Sequence, residues 1–548
     1  MDKFNNRFLK IFGFHAEDPA EPDHPAEPDR PVEPDHAAEP DHLAEPAEAA
    51  GAPSGDADGE AVFAYFEQIA SIPHGSGNTK AVSDMIVQFA QDHGYAYKRD
   101  EANNVVITAP ASKGCEDAAP IALQGHMDMV CASDPDKQID MAAEGITVIR
   151  DGDWMYADGT TLGADNGIAV AMMLAILDDP ECRHPLLECI FTSDEEIGLI
   201  GADALDLSEL KSRRLLNLDS EEEGVICAGC AGGAEIHASV PAHRKNKKGL
   251  IYEIELSGLT GGHSAFAVGT GSANAIKLMA RLLDSVYQTD PFCLVSIDGG
   301  EADNAVPRSC HAVILAKNRE SLREALEKTA LDLAGEYDET DPDLEWEIRA
   351  SADLMDEDKV KAFGRGSTKK ILSWLINLPS GVERRIPGQI EKLQTSSNVG
   401  VIETTDSGVK AILLARSSIN AQNEMMIRRV KGLTELAGGK AKVVSKYPAW
   451  EFAEHSPFRE KVLCVYRERT GKEAVIDITH GGLECGILAD KVPGIDCLAI
   501  GPDLEFVHTT KERMSIPSAV SVYNFVRALL EETGGSEQLI NTEEGNTD

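Results

Sequence analysis

From about residue 57 to 232 the chain alternates short apolar runs with glycine-rich or acidic turns, a pattern that predicts an α/β fold. The runs ending in LQGHMDMV (123–130), LLECIF (186–191) and LLNL (215–218) have the length and apolar density of buried strands. Each opens into polar chemistry: His126 and Asp128 in the first, Glu195 and Glu196 in TSDEEIG after the second, Asp219 in LDSEEEG after the third. Between the first two lies DGTTLGADNG, which presents Asp165 from a glycine-rich turn. Farther on, the Gly261–Gly262 bend precedes SANAIKLMARLL, an amphipathic helix, and VYNFVRALLEE after Pro517 reads as a closing helix.

Groups that follow strands can converge, because ligands of open α/β sheets collect outside the carboxyl ends of the strands. Alone, His-x-Asp reads better as a core histidine beside a solvated aspartate, and DEE as a solvated acidic turn. Together with His508 in FVHTTKE, these segments give two histidines and several carboxylates without cysteine, a donor set that suits Zn²⁺ and also accepts Mn²⁺ or Co²⁺. A two-metal hydrolytic site needs one carboxylate to bridge the ions and another left free as a general base. Asp165 is the expected bridge, since Gly163 and Gly167 would let the backbone approach the ions closely. Glu195 and Glu196, on a segment taken as extended, would point to opposite faces, one holding metal and one reaching the water.

These motifs, with FEQIASIPHGSGNTK, ANNVVITAPASKG and TTLGADNGIAVAMMLAIL, closely resemble the dinuclear-zinc metallopeptidases of the aminoacyl-histidine dipeptidase (beta-alanyl-histidine dipeptidase, peptidase D) type, within the aminoacylase and carnosinase superfamily. The resemblance covers nearly everything after about residue 58. It implies a zinc-peptidase-like catalytic domain, a mixed sheet flanked by helices, with an inserted α+β lid and dimerisation domain. It implies one metal on His126, Asp165 and Asp219, and the other on Asp165, Glu196 and His508. Glu195 would be the general base and acid, and Asp128 would orient His126. From the lid, His263 in LTGGHSAFAVGTG would stabilise the oxyanion, from the same chain or a partner subunit. Asn304 in GGEADNAVPR and Arg416 in ILLARSS would clamp the substrate, the arginine through its planar fork. His480 and Glu484 in THGGLECG also match a family motif, and compete with His508 for the last metal position. The activity implied is hydrolysis of unblocked dipeptides, aminoacyl-histidine dipeptides included, by metal-activated water. A deacylase or tripeptidase is the alternative on the same metal core, and an inactive metal-binding scaffold is a third reading.

Composition changes the picture in two places. A formal net charge of −42 over 548 residues disfavours nucleic acid and anionic membrane as partners. The 11 cysteines are scattered rather than framed as disulfides, which agrees with a cytoplasmic enzyme; the single CxxC, Cys227 to Cys230, lacks a second pair for structural zinc. The N-terminus is not explained by the resemblance. Residues 20–46 repeat A-E-P-D-H with a six-residue period, so 1–56 is expected as a disordered, acidic, proline-rich extension. Ahead of the repeats, MDKFNNRFLKIFGF lacks the apolar core of a signal peptide and suits a docking helix for an unknown partner; no segment is long enough to span a membrane. Because His508 returns so late, an insertion is expected between catalytic segments 57–232 and 446–532; the resemblance implies that this insertion, 233–445, is the lid and homodimer interface, and 533–548 is expected as a disordered tail.

Overall fold

The computed structural model describes residues 59–317, 320–350 and 359–534; the N-terminal repeats, the docking segment and all but the first two residues of the expected tail lie outside them. The catalytic part opens with helices α1 (Glu60–Ala70) and α2 (Lys80–Asp92) and strands β1 (Ala96–Arg99), β2 (Val105–Ala109) and β3 (Ile121–His126). Helix α3 (Ala164–Asp178) then leads to β4 (Leu187–Thr192), α4 (Ile200–Ala204), β5 (Arg214–Asn217) and β6 (Val225–Cys230). Helix α3 is apolar on every side from Gly167 to Leu177 and every one of those residues is buried, as expected of a helix through the middle of a core.

The lid carries strands β7 (Gly232–Pro241), β8 (Leu250–Ser257), β9 (Cys293–Gly299), β10 (Cys310–Ala316), β11 (Glu345–Ala350), β12 (Gln389–Thr405), β13 (Gly408–Ser417) and β14 (Lys440–Tyr447). Its helices are α5 (Ala275–Thr289), α6 (Glu320–Ala334), α7 (Arg365–Asn377) and α8 (Asn420–Leu436). The chain then returns through β15 (Val475–Thr479), α9 (Cys485–Lys491) and β16 (Asp496–Ala499) to the closing helix α10 (Ile516–Gly534), which absorbs the first two residues of the expected tail. The catalytic sheet has eight strands in the order β1-β2-β4-β3-β5-β16-β6-β15. It is mixed: β3 lies parallel to both β4 and β5, whereas β1, β2 and β4 are joined antiparallel.

The lid sheet runs β11-β8-β10-β9-β12-β13-β7-β14, with Gly381–Ile386 paired to β12 off this path. Its order is a duplication. The series β8-α5-β9-β10-α6-β11 is one β-α-β-β-α-β unit. The series β7-α7-β12-β13-α8-β14 is a second, with the first unit inserted between its opening strand and its first helix. Numbered within each unit, the strands read 4-1-3-2 and then 2-3-1-4, a two-fold arrangement that meets where Gly299 of β9 opposes Ile402 of β12. One apolar core joins the four helices to the sheet. The lid leaves the catalytic part through β7 and returns through β14, which are neighbours in register, Gly233 opposite Tyr447. The expected boundary at residue 445 therefore falls inside β14.

Candidate metal centre and lid pocket

Sheet register brings the expected ligands to one edge. His126 ends β3 level with Thr192 of β4, and Gln124 of β3 is level with Asn217 of β5. The turn after Thr192 thus lifts Glu195 and Glu196, and the turn after Asn217 lifts Asp219, beside His126. Asp165 comes from the first turn of α3, where Asp165 and Asn166 depart from helical angles and the peptide between them is cis. His508 sits in the loop between strands Leu504–Glu505 and Arg513–Ser515, in a left-handed conformation (φ 63°).

The side chains meet as two histidines on one carboxylate. His126 Nε2 lies 3.2 Å from Asp165 Oδ1 and 3.5 Å from Asp219 Oδ1. His508 Nε2 lies 3.1 Å from Asp165 Oδ2 and 2.9 Å from Glu196 Oε1. Asp165 therefore offers a different oxygen to each side, and His126, Asp165 and Glu196 can each turn a ligand atom to within 4.8 Å of the others. His126 Nδ1 is 3.0 Å from the main-chain oxygen of Asp128, which can only accept, so a proton sits on Nδ1 and Nε2, which faces the carboxylates, is the nitrogen left for a cation.

Electrostatics test whether cations fit. Burial lifts Glu195 well above the ordinary carboxylate range, with the charges of Asp219, Glu196 and Glu484 adding to it. Burial likewise raises Glu196 and Asp219. His508 is pushed up to about 11 by its hydrogen bonds to Asp165 and Glu196. Four buried or half-buried carboxylates thus draw protons onto two imidazoles, which is the demand for positive charge that divalent ions satisfy. The donors are nitrogen and oxygen only, and they fit such ions.

Four expectations need correction. Glu195 and Glu196 occupy a turn after Asp194 (φ 54°), not an extended segment, and the chain reversal is what separates their carboxylates. Gly163 and Gly167 do not serve the ions: a Cβ at Gly167 would stand 3.3 Å from the Phe66 ring of α1, and one at Gly163 2.8 Å from Met129 sulfur. Asp128 orients His126 through its carbonyl, its carboxylate being 3.5 Å away. That carboxylate instead accepts from Ser76 Oγ (2.8 Å) and from the amides of Glu195 (3.0 Å) and Glu196 (3.3 Å), so it fixes the turn that carries both glutamates. His480 and Glu484 do not compete with His508. His480 Nε2 pairs with Ser396 Oγ of the lid at 2.7 Å, and Glu484 lies behind the sheet edge, accepting from Gln124 (2.5 Å) and Thr192 (2.6 Å).

The lid assembles a second set. Arg416 on β13 is only 5% exposed, and it donates to Tyr447 Oη at 3.0 Å. Tyr447 is seated between two glycines: a Cβ at Gly233 would lie 2.4 Å from its ring, and one at Gly482 2.8 Å from it. Arg416 Nε and His480 Nδ1 are buried without a hydrogen-bond partner among the described residues. Burial and then the Arg416 charge push His480 down to about 4. His263 keeps a solvent-facing edge, yet partial burial followed by the charges of Arg416 and His508 pushes it, too, down to about 4. The exposed Asn304 lies next to it, its carbonyl accepting from Ser264 at 2.7 Å beside the His263–Ala305 pair.

The model of peptidase family M20/M25/M40 matches residues 122–532. The chain belongs to this family. This M20 peptidase is 34% identical to the cytosol non-specific dipeptidase of Escherichia coli (strain K12) over 471 residues, 85% of this chain and 96% of that one. The crystal structure of aminoacylhistidine dipeptidase from Vibrio alginolyticus superposes with a TM-score of 0.75 at 33% identity, covering 86% and 96% of the two chains. A tripeptidase from Staphylococcus aureus shares the fold at 18% identity and a TM-score of 0.50, covering 87% and 98%.

Two residues of this M20 site escaped the sequence reading. Asn166 Oδ1 accepts from the His126 amide (3.1 Å) while its Nδ2 donates to the Leu218 carbonyl (2.8 Å), tying three ligand-bearing segments together. Glu512 accepts amides from the Asp165 loop. The only sequence signals were an asparagine next to the bridging aspartate and a glutamate four residues past His508.

Proposed function

We propose that the chain is a metal-dependent dipeptidase for unblocked dipeptides, aminoacyl-histidine dipeptides among them, working in the cytosol with two divalent ions, zinc foremost. The observation that carries the reading is Asp165, whose two oxygens face His126 and His508 separately, with the buried Glu195 close enough to feel the charges of His126 and Asp219. Its relatives' printed activities, dipeptidase in both cases, support the substrate class. His126, Asp165 and Asp219 would hold one ion, and Asp165, Glu196 and His508 the other. When bound, such a pair acidifies a water and polarises the scissile carbonyl.

The chain's own residues supply the rest. Glu195, whose carboxyl burial raises above the ordinary range, takes a proton from the attacking water and returns it to the leaving amine nitrogen. Asp128 holds the Glu195 amide and so aims that carboxylate. His263, neutral above its lowered pKa, donates to the oxyanion, an interaction worth about 2.7–4 kcal/mol in comparable sites. Arg416, with an unused Nε, takes the substrate carboxylate, with Asn304 beside it. The two lid units pair within one chain, which supports His263 acting in cis. Among the described residues the outer strands β11 and β14 pair on one side only, and there we place the homodimer contact.

The test is hydrolysis of Gly-His, beta-alanyl-histidine, Leu-Gly, a tripeptide, an N-acetylated amino acid and an N-acetylated dipeptide, with zinc or manganese and with chelator. Chelator-sensitive cleavage confined to free dipeptides is expected. Cleavage confined to blocked substrates would move the chain to the deacylases, and cleavage confined to the tripeptide to the tripeptidases.

A further inference from the structure

We infer that Glu512 is a positioning residue that fixes His508 relative to Asp165, and through them the spacing of the two metal positions; this rests on the metal reading above. Its side chain is buried, and its two oxygens collect four consecutive amides. Oε2 accepts from Leu162 (2.8 Å) and Gly163 (3.1 Å), and Oε1 from Ala164 (2.8 Å) and Asp165 (3.4 Å). These are the orphan amides at the start of α3, whose N-cap, Gly163, has no side chain to satisfy them. Such caps are normally local. Here the acceptor comes from 350 residues downstream of Leu162, and its negative charge also suits the positive end of the helix.

The other end of the clamp is rigid. Glu512 closes the loop that carries His508, between strands Leu504–Glu505 and Arg513–Ser515, and those strands pair with each other. Arg513–Ser515 is further anchored to Trp154–Ala157. Within the loop, the Thr509 amide donates to Phe506 (3.2 Å), the Glu512 amide to Thr509 (3.1 Å), and the Lys511 amide to Thr509 Oγ1 (3.2 Å). A shift of the Glu512 carboxylate is thus passed to His508. The 3.1 Å approach of His508 Nε2 to Asp165 Oδ2 spans 343 residues of sequence, and the Glu512 carboxylate adds four further hydrogen bonds between the same two loops. Four donors require an acceptor-only group with lone pairs on both oxygens. Glutamine would set its NH₂ against two amides, and aspartate, one methylene shorter, cannot reach all four.

The experiment uses the full chain stripped of metal and titrated with Zn²⁺ against a chromophoric chelator, comparing the parent with Glu512→Gln and Glu512→Asp. Amide hydrogen exchange at Leu162–Asp165 is followed in the metal-free proteins. The expected result is a loss of about 10–100-fold in affinity for at least one ion in Glu512→Gln, a smaller loss in Glu512→Asp, and faster exchange at those amides in both. A cap that served stability alone would lower the urea midpoint and leave zinc affinity of the folded protein at the parental value, and that result overturns the proposal. Should Glu512→Gln not fold, unchanged affinity in Glu512→Asp overturns it equally. A parent chain that binds no zinc overturns the metal reading itself, whereas the exchange comparison still decides whether the clamp exists.

Discussion

Adding one methyl group at two glycines separates the packing behind the glutamate turn from ordinary helix propensity. Gly201 lies in α4 against the chain that leads into that turn. A Cβ there would stand 2.0 Å from the Ser193 oxygen and 2.7 Å from both the Ser193 amide and Asn104 Oδ1, where ordinary contact begins at 3.4 Å. Something must move by more than an ångström. Ser193 cannot yield alone, because Asn104 binds its amide (2.9 Å) and also donates to the Gly201 carbonyl (3.0 Å). The displacement is therefore delivered to Glu195 and Glu196, two and three residues on. Misplacing a catalytic group by about 1 Å costs roughly 10²-fold in rate, and overpacking of this kind costs about 1–3 kcal/mol of stability. Gly432, within α8, has open space where its Cβ would go, so Gly432→Ala should stabilise by about 0.5–1 kcal/mol and leave turnover alone. The assay is kcat on a cleaved dipeptide at saturating zinc, with urea unfolding of both variants. A Gly201→Ala protein with parental kcat and parental midpoint would refute the reasoning, as would a Gly432→Ala protein that loses turnover.

Other expectations follow from the same geometry. Glu195→Gln should keep both ions and lose about 10²–10⁴-fold in kcat, so a metal-replete variant with full turnover removes Glu195 as the base. Arg416→Lys replaces a planar fork with a point charge and should raise KM more than it lowers kcat; parental KM for free dipeptides would place the substrate carboxylate elsewhere. His480 carries a pH signature. Its pKa falls from 6.5 unfolded to about 4 folded, so between those values the unfolded chain binds more protons and stability rises with pH. Its contribution, up to about 3 kcal/mol, is complete above pH 6.5 and is lost as pH falls toward 4. Urea midpoints across that window should slope less in His480→Gln than in the parent, and equal slopes would contradict the assignment.

How much was legible depended on whether the information was local. Strand-end chemistry is local: an apolar run followed by His126, Asp219 or a glutamate pair announces itself, and parallel register does the rest. Glu195 and Glu196 were found, but their turn was hidden, because the left-handed Asp194 that starts it is not a glycine. Glu512 follows a lysine in a polar stretch and reads as surface; its partners are backbone amides, which no sequence pattern displays. Gly163 and Gly167 were noticed for the right property, absence of a side chain, and the wrong neighbour. The lid's duplication was illegible for a topological reason: β7 is separated from α7 by the whole first unit, so the second unit never appears as a continuous stretch.

The two crossings between catalytic part and lid run side by side. Gly233 and Ala234 pair with Tyr447 and Lys446, and a Cβ at Gly232 would lie 2.4 Å from the Ala449 amide. A ribbon of two bonded strands flexes across its flat face but resists shear and twist, since either would break the rungs. The lid is therefore joined to the catalytic part along one line, as by a hinge, rather than strung from it like a bead. Any displacement along that line would also have to part the His480–Ser396 hydrogen bond and the Lys392–Asp477 ion pair, so the ribbon and these two side-chain ties together hold Arg416 in register with the catalytic part.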